Sequence, residues 1–205
     1  MTARALRLLV FDRHASGPLG SLPRVWALGA KLFRARGALD RAFGCRGWEE
    51  ALEQLEGVDP SRPIAEVQFW GHGKWGDARF GNDRFDESCL LRGHPLGNRL
   101  ARIARRATPD GLFWFRCCET FGADAGQSFA RAFSDTTGLR VAGHTYVIAA
   151  LQSGLHTLAP GARPDWDPAE GLARGTPARP LAALMSTPSA PRTITFLEAR
   201  LPAWA

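Results

Sequence analysis

The sequence has few lysines, no long cluster of basic residues and no long apolar run, and the last two absences argue against classes of protein. Lys31 and Lys74 are the only lysines, so arginine supplies most of the positive side chains in a chain of net charge +6. The arginines form no long cluster, and such a composition alone does not indicate nucleic-acid binding. No apolar run approaches the roughly 18 residues of a membrane span. The N-terminal apolar stretch is too short for a signal peptide, and charged residues follow it too soon. We therefore expect a cytoplasmic protein with no nucleic-acid or membrane partner.

Cysteine is also scarce, and this excludes a disulfide-stabilised fold. The four cysteines have no regular spacing, and the neighbours Cys117 and Cys118 could bond to each other only in a strained ring. Free thiols are therefore expected. Outside that region, Cys89 and His94 are the only close Cys and His pair, and no second pair at ligand spacing completes a zinc site. The sequence predicts no metal and no organic cofactor.

The sequence does contain enough apolar side chains, 45% of 205 residues, for one substantial core. Apolar runs predict buried strands, and apolar residues at helical spacing predict helices between them. The predicted strands are 5–11, 38–44, 64–70, 112–115 and 140–149, with a hairpin at 77–86. The predicted helices are 22–36, 48–55, 96–107 and one capped by Asp124 that reaches about Phe133. This alternation predicts an α/β fold with a three-layer, doubly wound, mainly parallel sheet. We assign 1–158 to this domain and the Gly-, Pro- and Ala-rich 159–205 to a C-terminal extension that packs on it or is partly flexible.

Residues that can do chemistry follow two of the predicted strands. His72 lies in a Gly-His-Gly turn after the strand 64–70, and Cys117 and Cys118 follow the strand 112–115. The carboxyl ends of parallel strands meet at one edge of a sheet, so we expect the imidazole near the thiols. A helix N-terminus and an imidazole both favour a thiolate, and the turn at Gly73 lets a substrate approach and can hold an oxyanion. A Cys–His dyad of this kind suits acyl transfer.

These motifs resemble the caspase and hemoglobinase-like cysteine peptidases, which include caspases, legumains, gingipains and separases. The layout looks most like a caspase-like bacterial domain of unknown function that is found at the start of large surface proteins. The matching stretches cover roughly residues 5–150 and read IAEVQFWGHGKWG, DARFGNDRF, LFWFRCCETFGADAGQSFARAFSDTTG and LRVAGHT. The resemblance implies a caspase-like, Rossmann-like architecture. It also implies a cysteine endopeptidase that cleaves a protein or peptide substrate through an acyl-enzyme.

The resemblance implies His72 as the general acid and base. The family pattern has a small residue directly before the nucleophile, which favours Cys118 because Cys117 precedes it, whereas strand length alone favours Cys117. Cys-Glu-Thr at 118–120 also resembles the Cys-Glu-Ser of legumains. We predict Cys118, with Cys117 as the alternative. Several relatives are made as zymogens, so an activating partner or a processing step stays open.

The charge of the substrate also stays open. Arg13 and His14, at the end of the first strand, should lie on the same edge and could contact an acidic side chain. The opposite preference, for a basic side chain, rests on three acidic residues that follow Cys118 in the sequence: Glu119, Asp124 and Asp165. Trp75 is a candidate wall of the cleft, and His144 is a further candidate to line the same edge.

Two other functions stay open. In the first, the chain is a catalytically inactive caspase-like interaction or regulatory module, whose His72 is a satisfied turn residue and whose cysteines fill the core. In the second, the chain is a small serine esterase that uses Ser128, because Gly-Gln-Ser-Phe-Ala superficially resembles a nucleophile elbow. An elbow serine must directly follow a strand, however, and Ser128 lies inside a predicted helix. The sequence does not indicate the oligomeric state.

Overall fold

The structure is a computed structural model that describes residues 4–14 and 22–205. The sequence also predicts a turn marked by Pro18, Gly20 and Ser21, and these positions lie outside the described residues. The strands are, in chain order, β1 Leu6–Asp12, β2 Arg41–Cys45, β3 Ile64–Trp70, β4 His72–Lys74, β5 Asp77–Phe80, β6 Asp83–Asp86, β7 Ala107–Arg116, β8 Arg140–His144, β9 Leu151–Gln152, β10 Leu155–Leu158, β11 Leu172–Thr176, β12 Arg179–Ala183 and β13 Ile194–Thr195. The helices are α1 Leu22–Ala35, α2 Trp48–Glu56, α3 Pro95–Ala104 and α4 Ala123–Thr137, with a 3-10 helix at Glu87–Leu90. None of the helices in this part of the chain combines the length and apolarity needed to cross a membrane.

Six strands form the central sheet, in the order β10-β8-β7-β3-β1-β2. The first five of them in sequence, β1, β2, β3, β7 and β8, run parallel, and β10 lies antiparallel to β8 at one edge. Strands β3 and β7 lie in the middle, and β3 and the second half of β7, from Gly111 onward, are buried on both faces. This burial explains why IAEVQFW and LFWF are continuous apolar runs rather than alternating ones. The fold is mixed α/β with a mainly parallel sheet, as the sequence predicts.

One face of the sheet packs against α2, α3 and α4, and we call it the closed face. Its core takes alternate residues of the central strands: Leu8, Val10, Val67, Phe69, Phe113 and Phe115. From α2, the Trp48 ring lies 4.7 Å from that of Phe69 between centroids. The Trp48 indole N–H also donates to the carbonyl of Ala78, which satisfies the polar end of the side chain. This face is a continuous, well-filled core.

The opposite face is covered by α1 and by residues 194–205 of the C-terminal extension. We call it the open face because these segments leave a cavity there. The Phe196 ring lies 5.0 Å from that of Trp70 and 6.3 Å from that of Phe33. At the end of β7, Arg116 donates hydrogen bonds to the backbone carbonyls of Phe196 and Glu198. The end of the extension therefore packs on the sheet, which lies between two covering layers.

Several element boundaries differ from the predicted ones. Strand β7 begins at Ala107, five residues before the predicted start, and its pairing with β3 has an irregularity between Ile64 and Glu66. The predicted hairpin is part of a three-stranded sheet, in which β4 pairs with β5 and β5 with β6. No strand continues through 145–149, where Val147 makes only an isolated bridge with Met185. Short and irregular pairings of this kind leave little trace in apolar periodicity.

The predicted cap of α4 is wrong. The helix begins at Ala123, and its cap residue is Gly122, which has no side chain to bond the first turn. Asp124 therefore lies within the first turn, and Gln127 donates to the carbonyl of Trp166 instead of reaching back. The helix does end at Gly138, whose φ of 70° is the left-handed conformation that closes many helices.

Candidate active site

The sheet brings the two predicted reactive segments together at its carboxyl edge. Trp70 at the end of β3 is paired in register with Arg116 at the end of β7. His72 and Cys118 each lie two residues beyond this pair, so parallel pairing alone places them at neighbouring positions. Both line one cavity of about 570 Å³ on the open face. The imidazole also makes an edge-on contact with the Trp26 ring of α1, at 6.1 Å between centroids.

Gly73 fixes how closely the histidine turn approaches the cysteine turn. A Cβ atom at this position would lie 2.7 Å from the carbonyl oxygen of Cys118 and 2.8 Å from the Sγ of Cys117, and it would also clash with the hydroxyl of Thr120. Real Cβ atoms do not come this close to backbone oxygens, so only glycine fits here without a shift. The backbone of β4 is therefore packed directly against the cysteine turn.

The two cysteines have different surroundings. Cys117 is fully buried in the closed-face core, its Sγ lies 2.8 Å from the Oγ1 of Thr120, and burial raises its pKa far above the usual value. Cys118 is half-buried and lines the cavity. Its Sγ accepts a hydrogen bond from the backbone N–H of Ile148 at 3.4 Å. Burial raises the pKa of Cys118 too, although the Ile148 contact opposes this. Of the two thiols, Cys118 is the one that a ligand in the cavity can reach.

Glu119, the next residue, has an unusual backbone conformation that shapes this turn. Its φ is 54°, in the left-handed region that non-glycine residues rarely occupy. Its N–H donates to the carbonyl of Tyr146, and the N–H of Phe121 donates to the carbonyl of His144. These bonds tie the turn to the chain at and beyond the end of β8. Burial raises the pKa of the Glu119 carboxyl, which does not line the cavity.

The other predicted pocket residues lie elsewhere. Arg13 forms an exposed ion pair with Glu50 at 3.3 Å, and His14 is exposed. Trp75 and Asp124 line a separate shallow cavity. Neither pair lines the cavity of His72 and Cys118, so the structure gives them no contact with a ligand bound there.

Two further predicted candidates are also outside the cavity. Asp165 is exposed, near the start of the C-terminal extension. His144 is fully buried, and its Nδ1 lies 3.1 Å from the carbonyl oxygen of Ser153. Burial lowers its pKa to about 3, so this imidazole is neutral at ordinary pH. His144 is a core histidine rather than part of the site.

The sequence reasoning missed most of the cavity wall. The wall comes from α1, from the segment 148–152 that ends in β9 and from the extension, and includes Trp26, Ile148, Leu151 and Phe196. These segments are far apart in the sequence, and no motif marks them as partners. Arg116 was also missed, although its position directly before the cysteines is a signal that could have found it.

Arg116 is a buried cation at the base of this cavity. Its guanidinium stacks on the Trp114 ring at 4.4 Å and donates to the Oε1 of Gln152 through two nitrogens, at 3.0 and 2.7 Å. None of the described carboxylates forms an ion pair with it. Burial lowers its pKa to about 9. Neutral dipoles and ring faces therefore hold this side chain in place.

Comparison with known proteins assigns no family. No protein-family model matches the chain, and no curated protein matches it significantly. Within the described ranges, no group of three or more His, Cys, Asp or Glu residues could hold a metal ion. The fold and the cavity define a mixed α/β protein with a thiol and an imidazole at the carboxyl edge of its sheet.

Proposed function

We propose that this protein is a cysteine endopeptidase of caspase-like architecture, in which Cys118 is the nucleophile and His72 transfers protons. The observation that carries the proposal is the shared cavity: a half-buried thiol and an imidazole from neighbouring parallel strands line the same space. In open parallel sheets, ligands bind at this edge. The packing of Gly73 against Cys118 supports the same reading, because it keeps the histidine turn and the nucleophile turn in fixed positions.

The surroundings of Cys118 determine how the first step begins. Because burial raises its pKa, the resting side chain is a thiol rather than a preformed thiolate. The proton therefore leaves during attack: it passes to the imidazole of His72 as the sulfur bonds to the carbonyl carbon of the substrate. The carbonyl π electrons move to the oxygen, which becomes an oxyanion beside the Gly73 turn.

The remaining steps return the enzyme to its starting state. The carbon–nitrogen bond breaks, and the leaving amine takes the proton from the imidazolium of His72. A thioester to Cys118 remains. Water then attacks this thioester, gives one proton to His72, and the proton returns to the sulfur as the carboxylic acid product leaves. No redox partner or metal is needed for this balance.

An inactive interaction or regulatory module is the second candidate. It is favoured by one observation, the raised pKa of both Cys117 and Cys118, since many active thiols have a lowered pKa. No observation favours the serine esterase. Ser128 donates to a carboxylate oxygen of Glu87 at 2.7 Å, and no histidine lines either of the two shallow cavities that it borders.

Cleavage of a diverse peptide library, read by mass spectrometry, separates the two candidates. The wild-type protein should cut peptides, and both Cys118→Ala and His72→Ala should abolish the cuts without loss of the folded state. Cys89→Ala is the matched control, because Cys89 is a buried free thiol outside the site. Activity that survives in Cys118→Ala, or a library that wild type leaves intact both before and after limited proteolysis of the protein, would reject the peptidase. Partner binding that survives in Cys118→Ala would then favour the module.

A further inference from the structure

We propose that the cavity beside Cys118 holds a large apolar side chain of the substrate, on the residue whose carbonyl is attacked. This inference rests on the proposed peptidase function and names its substrate class. It predicts an aromatic or long aliphatic side chain at this position. It excludes both the acidic and the basic side chains that the sequence leaves open.

The lining of the cavity carries the inference. Apolar side chains from four separate segments face it, and they include Trp26, Trp70, Ile148, Leu151, Phe196 and Leu197. No described carboxylate lines it, so a lysine or arginine side chain of a substrate would have no counter-charge there. Burying an unpaired charge is costly, whereas burying an apolar side chain is favourable. A basic substrate side chain is therefore disfavoured.

Arg116 lines the cavity as a cation, but most of its N–H donors are already committed to other groups. A guanidinium has five N–H donors. Four of them are used: two for Gln152 Oε1, one for the carbonyl of Glu198 at 2.9 Å and one for the carbonyl of Phe196 at 3.1 Å. A substrate carboxylate could form a bidentate pair only by displacing the Gln152 side chain or the C-terminal extension. The arginine therefore holds the wall of the cavity in place rather than binding the ligand.

The size of the cavity fits a side chain with its neighbouring residue. Its volume is about 570 Å³, within the roughly 300–1,000 Å³ of typical ligand sites, and a dry apolar cavity of about 150 Å³ already binds benzene. The mouth is apolar as well, since Val25 of α1 and Leu197 line the cavity and remain 47% and 54% exposed. An apolar mouth around an apolar cavity favours an extended hydrophobic stretch of substrate.

The first test is the rate at which acyloxymethyl ketone probes label Cys118. Four probes differ only in the side chain next to the reactive group: Phe, Leu, Asp and Lys. The Phe and Leu probes should label Cys118 at least tenfold faster than the Asp and Lys probes, because even a single methylene in a hydrophobic pocket is worth roughly 10-fold to 200-fold. An Asp or Lys probe that labels as fast as the Phe probe would overturn the inference.

A charge placed at the mouth provides the second test. Val25→Asp puts a carboxylate on the lining, so it should slow the Phe probe and speed the Lys probe by severalfold each. Leu28→Asp is the matched control, because Leu28 is another exposed apolar residue of α1, at 69%, but does not line the cavity. Equal changes in both variants would contradict the assignment of this cavity.

Failure of the peptidase proposal would look different from failure of this inference. If no probe labels Cys118 before or after limited proteolysis of the protein, while iodoacetamide does, the peptidase proposal fails. The cavity is then tested by protection, with N-acetylphenylalaninamide and an equal concentration of N-acetylaspartic acid amide. Slower iodoacetamide alkylation of Cys118 with the phenylalanine compound alone would still support an apolar ligand. Equal protection by both, or none by either, would reject it.

Discussion

The two faces of the central sheet differ in how completely they are packed. On the closed face, Phe113 and Phe115 of β7 meet a dense set of rings, and Phe115 lies 5.1 Å from Phe133 of α4 between centroids. On the open face, Trp114 and Arg116 of the same strand meet a helix, a loop and the C-terminal extension, which leave a cavity. The difference shows where this protein gains stability and where it has room for a ligand.

The adjacent cysteines continue this alternation beyond the strand. Cys117 belongs to the closed-face core, whereas Cys118 lines the open-face cavity. Two neighbouring residues of identical chemistry therefore have different surroundings, in the same alternation that successive side chains of β7 show up to Arg116. Cys117 fills space in the core, and Cys118 is accessible from the cavity.

The largest expected effect compares one tryptophan from each face. Trp48→Ala on the closed face should lower the free energy of unfolding by about 3–5 kcal/mol, because the ring is enclosed on all sides. Trp26→Ala on the open face should cost about half as much or less, since one side of that ring borders the cavity. Urea unfolding of both variants measures the difference. Equal losses would mean that the open face is packed as tightly as the closed one.

The second prediction concerns the contact between the histidine turn and the cysteine turn. Gly73→Ala should cost about 1–3 kcal/mol, because its Cβ would press against the backbone oxygen of Cys118. It should also change the rate at which Cys118 is alkylated. Gly57→Ala is the control, since Gly57 has ordinary helical φ and its Cβ would meet no atom closer than 3.4 Å. The account fails here if both variants unfold at the same urea concentration as wild type.

The third prediction is a pH dependence that comes from His144. Burial lowers its pKa from the usual 6.5 to about 3, so between these values the unfolded chain binds a proton that the folded chain does not. Stability should therefore fall as the pH falls through this window, by about 1 kcal/mol between pH 6 and pH 5. In His144→Gln this part of the slope should disappear, as seen in urea unfolding at each pH. An unchanged slope would place the imidazole in contact with water.

The smallest effect distinguishes the two thiols. Iodoacetamide should alkylate Cys118 before Cys117, and the rate should keep rising above the pH at which an ordinary thiol reaches its plateau, because burial raises the Cys118 pKa. Peptide mapping after partial alkylation identifies the modified residue at each pH. Modification of Cys117 first would reverse the assignment of the two faces.

The sequence predicts those parts of the fold that depend on local signals. The run IAEVQFW predicts β3 at its observed bounds, because a strand buried on both faces must be apolar throughout. It also predicts that His72 and Cys118 follow neighbouring strands. It does not predict the extension of β7 back to Ala107, since Thr-Pro-Asp-Gly is typical of a turn.

The wall of the cavity depends on contacts between distant segments. Phe196 reaches α1 only because Gly29 leaves room for its ring: a Cβ there would lie 2.8 Å from the Phe196 Cζ. Similarly, Trp75 follows the histidine turn in sequence but lies beside Asp124 in a different cavity. Neither relation has a periodic or motif signal, so tertiary packing alone determines them.

The most direct test of the central claim is to locate the covalent adduct after the protein reacts with the Phe acyloxymethyl ketone probe. We predict one adduct per chain, at Cys118, in wild type. The adduct should be absent from Cys118→Ala and much slower to form in His72→Ala, while iodoacetamide still alkylates Cys118 in the latter variant. An adduct at another residue, or equal labelling in wild type and His72→Ala, would contradict a thiol–imidazole site on the open face.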